Sequence, residues 1–194
     1  MFGALAMLGA CSPMNHLPPD REAKASSAKE KSAACFVQKA DGSIEHFKSL
    51  KLITGIFTMP YLLADGKIKI SGAAIEAYQN EDHYAVSENK LAHARKSKVA
   101  TEALPGFAVR IAKGSLNIYC KKYFNGTRAV DELYVQVGDQ GKIEPYSAAL
   151  IAELVKNRPA AVDFLKSKKK PASISKRLQA VADIYNHGEM ISKN

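Results

Sequence analysis

Five histidines are the first residues to test for chemistry: His16, His46, His83, His93 and His187. A zinc site on a helix needs two of them three or four residues apart, and a site on a strand needs His-x-His. Neither spacing occurs. Asp82-His83 puts a carboxylate beside a base, but neighbours on a strand face opposite ways, so they do not form a base and its orienter. Cys120 shares the apolar parity of Leu116 and Ile118. A nucleophilic thiolate needs a reachable, electropositive setting, so a buried thiol is expected there instead. No Gly-x-Ser-x-Gly elbow, Walker loop or dinucleotide fingerprint is present. The reading assigns no catalytic residue, no metal and no cofactor.

Two surfaces remain as candidates for binding. Tyr78, Tyr119, Tyr123 and Tyr134 fall opposite the apolar positions of their expected strands, with Arg110, Lys121 and Lys122 beside them. Aromatic faces and cations together suit a glycan or a lipid. The C-terminal helices must also bury their apolar stripes, and covering of the tyrosine face by those helices is the favoured reading. The second surface is the basic run Lys166, Lys168, Lys169, Lys170, Lys176 and Arg177, with no acidic residue between Asp163 and Asp183. It reads first as a solvated linker face. The functional alternative is contact with anionic head groups or phosphates, at about 1 kcal/mol per basic residue.

The chain has 28 Lys and Arg against 19 Asp and Glu, a net charge of +9 over 194 residues. That balance favours anionic partners. Hydrophobic residues at 46% are enough for a sizeable core in one domain.

The elements that would hold these residues are strands first, then helices. Gly42, Gly66, Gly114 and Gly141 each sit in an expected tight turn, where glycine supplies a positive φ. Phe107, Val109 and Ile111 alternate with polar residues, as do Leu116, Ile118 and Cys120, and Leu133, Val135 and Val137. Period-two alternation between turns predicts an antiparallel sheet with a buried face. Further strands are expected at 35–39, 44–47, 51–57, 67–70, 74–79 and 83–87. Residues 88–103 fit either a loop or a short helix. The period then changes. Ser147 caps a helix carrying Leu150, Ile151, Leu154 and Val155, and Pro159 starts a second. Ile174, Leu178, Val181, Ala182 and Tyr185 trace a third, closed by Asn186-His187-Gly188. The fold class expected is α+β: an antiparallel β-meander or open barrel-like sheet followed by two or three C-terminal helices.

The N-terminus carries a resemblance. Residues 1–10 hold no charged side chain and run into Leu8-Gly9-Ala10-Cys11. This stretch is too short for a span and resembles the lipobox of bacterial lipoproteins. The resemblance implies cleavage before Cys11, a diacylglycerol on its thiol, and Ser12 rather than Asp next, which points to the outer membrane. It departs from the class in lacking a basic segment ahead of the apolar run, so Met1 reads as an internal start or a start placed too late. Residues 1–10 are then the signal segment, 11–33 a flexible tether rich in Ala, Ser, Lys and Pro, and 34–194 one α+β domain, β-rich over 34–146 and helical over 147–194. The stretches Arg110–Tyr119 and Tyr134–Tyr146, with Ile184-Tyr185-Asn186, resemble uncharacterised exported proteins of Gram-negative bacteria. That group lends no chemistry.

An exported protein meets an oxidising compartment. With Cys11 acylated, Cys35 and Cys120 remain, both with inward parity, and either a disulfide or two buried thiols fits. Export also makes nucleic acid the least expected anionic partner. The membrane through its lipid anchor, anionic lipid, glycan or an envelope protein stay open. Two functional classes follow: a non-enzymatic binding or structural lipoprotein, favoured for want of motifs, and an envelope hydrolase or transferase acting on glycan or peptide. Two carboxylates about 5–10 Å apart across a cleft would mark the second.

Overall fold

The structure is a computed structural model and describes residues 34–55, 58–94, 102–124, 126–167 and 173–191. Cys11, the tether, and Lys168, Lys169 and Lys170 lie outside the described residues. Those described fall within one compact unit, Ala33–Asn194.

Strands β1 (Cys35–Lys39) and β2 (Ile44–Phe47) open the chain, then β3 (Leu50–Ile53), β4 (Tyr61–Ala64) and β5 (Ile68–Ser71). Next come β6 (Ile75–Gln79), β7 (Tyr84–Ser87), β8 (Phe107–Ala112), β9 (Leu116–Phe124), β10 (Ala129–Val137) and β11 (Glu144–Pro145). The helices are α1 (Ala148–Val155), α2 (Pro159–Lys166) and α3 (Ile174–Ile191). Eight strands form an open sheet in the order β11-β10-β9-β8-β7-β6-β1-β2, and β3-β4-β5 form a smaller one. All these strand pairings are antiparallel, so the fold is α+β as the sequence pattern predicts. Strand β4 was not foreseen: Tyr61-Leu62-Leu63-Ala64 has no polar alternation to mark it.

One face of the large sheet is mainly apolar and doubly covered. Leu116, Ile118, Cys120, Leu133 and Val135 of β9 and β10 pack against Ile151 and Val155 of α1 and Leu178, Val181 and Ala182 of α3. Cys35, Val37, Tyr78 and Ala85 pack against Leu50, Leu62 and Ala64 of the small sheet. The helices therefore settle on the aliphatic face and not, as expected, on the tyrosine face. Aliphatic stripes pack on aliphatic side chains without stranding a polar group, whereas tyrosines carry hydroxyls that need a partner when covered.

Local chemistry sets the ends of the elements. Gly42 and Gly66 have φ of 84° and 69°, as their turns require. Gly141 is a correction, because the positive φ in that turn belongs to Gly138, at 64°. A Cβ on Gly141 would lie 2.2 Å from the carbonyl oxygen of Val137, so close approach is what demands glycine there. Ser147 Oγ accepts from the Leu150 N–H at 3.1 Å, capping α1, and Pro159 stands at the start of α2. α3 runs through the expected stop at 186–188. Asn186 is committed elsewhere: its Oδ1 accepts from Leu116 N at 2.9 Å, and its Nδ2 donates to the carbonyls of Lys113 and Leu116. Within 88–103, Glu88–Lys90 forms a single 3-10 turn capped by Ser87, and Leu91 bridges Ile143. Among the described residues no helix is long and apolar enough to cross a membrane.

Candidate functional site

The second face of the large sheet is read off the register. Phe36 stands opposite His46 and Gln79, Gln79 opposite Tyr84, and Arg110 opposite Tyr119. Arg110 stacks over the Tyr84 ring at 4.3 Å, completing one row across six strands. A second row runs Ile44, Gln38, Ala77, Val86 and Ala108. Over these rows lies an open cleft of about 590 Å³. Leu91 and Ile143 close the neighbouring part of the face, packing with Tyr119 and Tyr134.

Among the described residues the cleft carries three cations, Lys90, Arg110 and Lys113, against one carboxylate, Asp139. Arg110 is held by its stack on Tyr84 and lies 4.0 Å from Asp139 Oδ1, with side-chain exposures of 15% and 68%. Lys90 Nζ donates to Gln38 Oε1 at 2.9 Å. The Tyr119 hydroxyl donates to Gln136 Oε1 at 2.7 Å, and Gln136 Nε2 reaches the carbonyls of Asp139 and Gly141. Burial pushes the Tyr119 phenol up to about 12, with the Arg110 charge opposing, so Tyr119 is a neutral donor. Buried Asn117 fixes both turns at the rim: it accepts from Gly114 N and donates to Gly138 O and Asp139 Oδ1. The cleft floor is thus braced, while Lys113 and Asp139 stand exposed at its edge.

Of the seven residues expected on this surface, the cleft keeps Arg110 and Tyr119. Tyr78 is a correction: it is fully buried on the opposite face, beside Val37 and Phe107. The pairing of β1 with β6 shifts register between Gln38 and Lys39, and one slipped residue reverses which face a side chain takes. Its hydroxyl meets His83 Nε2 at 3.0 Å. Burial lowers the His83 pKa and raises that of Tyr78. Lys121 is a second correction. Its side chain is wholly buried, 3.0 Å from Glu88 Oε2 and 3.7 Å from Glu132 Oε2. Glu88 Oε2 is buried without a hydrogen bond, so its compensation is the charge of Lys121. Lys122 points to the other face and pairs with Glu102. Tyr134 is buried and donates to Glu132 Oε2 at 3.3 Å. Tyr123 is half-buried near the far end of β9, away from the cleft. Of the basic run, Lys166 and Lys176 are exposed and Arg177 is half-buried, its Nη2 3.5 Å from the Leu165 carbonyl.

Cys35 and Cys120 are free and buried, so the alternative of a disulfide is set aside. They sit on β1 and β9, with β6, β7 and β8 between. At about 4.8 Å per strand this separates them by roughly 19 Å, far beyond bridging reach. Burial pushes the Cys120 thiol up to about 12, which rules against a thiolate nucleophile.

The signal missed in the sequence is the set Phe36, His46, Tyr84, Lys90, Lys113, Gln136 and Asp139. Tyr84 with Val86 has the right parity within the expected strand at 83–87, but nothing local ties it to Arg110. Among the described residues no group of three His, Cys, Asp or Glu stands close enough to hold a metal ion. Comparison with models of protein families, with curated proteins and with solved structures finds no match for this chain.

Proposed function

We propose that the protein is a lipid-anchored binding protein of the bacterial cell envelope, held to the outer membrane through Cys11, and that the cleft over β1, β2 and β6–β10 is its binding site. The single observation that supports binding over catalysis is the lining of that cleft. It offers cations, amides and aromatic rings, with Asp139 as its one carboxylate among the described residues. A glycoside hydrolase needs a second carboxylate facing the first. Glu88 and Glu132 lie outside the cleft lining, and both pair with the buried Lys121, at 3.0 and 3.7 Å. The anchor rests on the lipobox resemblance at 8–11.

Two measurements test this reading. Mass spectrometry of the mature N-terminus should find an acylated Cys11, and Cys11→Ala should release the protein from membranes. An unprocessed Met1 in the membrane fraction contradicts the anchor. Incubation of the full chain with cell-wall glycan and peptide should liberate no reducing ends and no new amino termini. Turnover abolished by Asp139→Asn would overturn the binding role.

A further inference from the structure

We infer that the cleft takes an acidic saccharide, a sugar carrying a carboxylate or phosphate, and that Arg110 receives its anionic group. This rests on the cleft being a binding site, as proposed above, and goes on to name the ligand chemistry.

Charge comes first. Among the described residues three cations line the cleft with one carboxylate, which favours a ligand that brings negative charge. Arg110 is the best placed of the three. Its guanidinium carbon sits over the Tyr84 ring at 4.3 Å from the centroid, and the side chain is largely shielded from solvent, which pre-organises a planar fork suited to an oxyanion. Its partner Asp139 is a poor competitor. At 4.0 Å the pair is too long for a hydrogen bond, and the carboxylate is mostly solvated. Asp139 therefore stands where a ligand's oxyanion would displace it.

The rest of the lining selects a polyol over an acyl chain or a bare ion. Gln38 uses Oε1 on Lys90, which leaves its Nε2 to donate, and Gln79 uses Nε2 on the Asn80 carbonyl, which leaves its Oε1 to accept. Amides with one donor and one acceptor to offer match hydroxyl groups, which are both. The Phe36 ring beside them supplies the apolar plane that a sugar's C–H face packs on. An acyl chain would leave these amides unpaired at a cost. The cleft, about 590 Å³, falls within the roughly 300–1,000 Å³ that encloses a small ligand, which suits a short stretch of glycan.

The test is calorimetric titration of the full chain with trigalacturonate, its fully methyl-esterified neutral form, glucose 1-phosphate and inorganic phosphate. Trigalacturonate or glucose 1-phosphate should bind, and which of them binds tells carboxylate from phosphate. Removing the charge by esterification or by Arg110→Gln should weaken binding about tenfold or more. Because Arg110 also packs on Tyr84, the exposed Lys113→Gln gives a second variant, expected to lose about threefold, while Asp139→Asn should gain about as much. Equal binding of the ester overturns the acidic inference but leaves the cleft a binding site. Inorganic phosphate binding as tightly as the sugars overturns the saccharide. Absence of binding by both acidic sugars overturns the inference as a whole, and release of reducing ends overturns the non-enzymatic reading beneath it.

Discussion

Replacing Lys121 with Met isolates the ion pairs of a fully buried charge. The substitution keeps the apolar stem and removes the charge. Lys121 Nζ sits 3.0 Å from Glu88 and 3.7 Å from Glu132, and the two carboxylates are 24% and 17% exposed. At an effective dielectric of about 20 these pairs attract by about 5.5 and 4.5 kcal/mol before desolvation is charged against them. Desolvation removes much of that gain, so the native triad contributes little net. Lys121→Met, however, takes the buried cation away from two largely buried carboxylates, and losses of this kind run to about 3–5 kcal/mol. Urea unfolding followed by circular dichroism should show that loss with an unchanged slope. The triple variant Lys121→Met, Glu88→Gln, Glu132→Gln should regain all but about 1–2 kcal/mol, since no charge is then stranded. A single-variant loss under about 1 kcal/mol, or a triple variant no better than the single, refutes the reasoning.

Leu178→Ala removes a buried side chain from the contact of α3 with β9 and should cost about 2–5 kcal/mol in the same assay; a loss under about 1 kcal/mol means α3 does not hold the core. Asn186→Ala leaves the N–H of buried Leu116 unpaired and should cost about 1–3 kcal/mol. Gly114→Ala should also destabilise, because its Cβ would fall 2.3 Å from Asn186 Cγ, and the double variant should lose less than the two single losses added. Burial raises Cys120 and Tyr119 to about 12 from 9.0 and 10.0. In the unfolded chain these groups release protons first, so the stability they contribute is whole below about pH 9 and is lost as pH rises towards 12. Thermal melts across that range should fall while Cys120 stays unreactive to alkylation at pH 8; rapid labelling of the native thiol contradicts its burial.

What could be read from the sequence divides along physical lines. Strands β9 and β10 were legible because Leu116, Ile118 and Cys120, and Leu133, Val135 and Val137, recur at every second position, and Ser147 and Pro159 marked two helix starts through local bonds and a fixed φ. The cleft was not legible. Its described lining comes from seven strands and three turns, and Gln, Lys and Arg at alternate strand positions look like an ordinary solvated face. Tyr78 was misplaced by a register shift within its own strand, where Glu76 is passed over between Ile75 and Ala77, and no turn residue marks it in the sequence. Lys121 read as a surface cation because its partners arrive from the turn at Glu88 and from the opposite register position, Glu132. Asn186 read as a cap for the same reason: its true partners lie 70 residues away.

The most direct measurement is photocrosslinking in the native envelope, with a photoreactive phenylalanine analogue replacing His46, exposed at the cleft rim, or Lys156, exposed after α1 and outside it. The His46 position should capture an intact acidic glycan, and excess of whichever acidic sugar binds in the titration, trigalacturonate or glucose 1-phosphate, should abolish that adduct, while the Lys156 position captures none. The same adduct at both positions, or none at His46, would contradict the assignment of the cleft as the binding site.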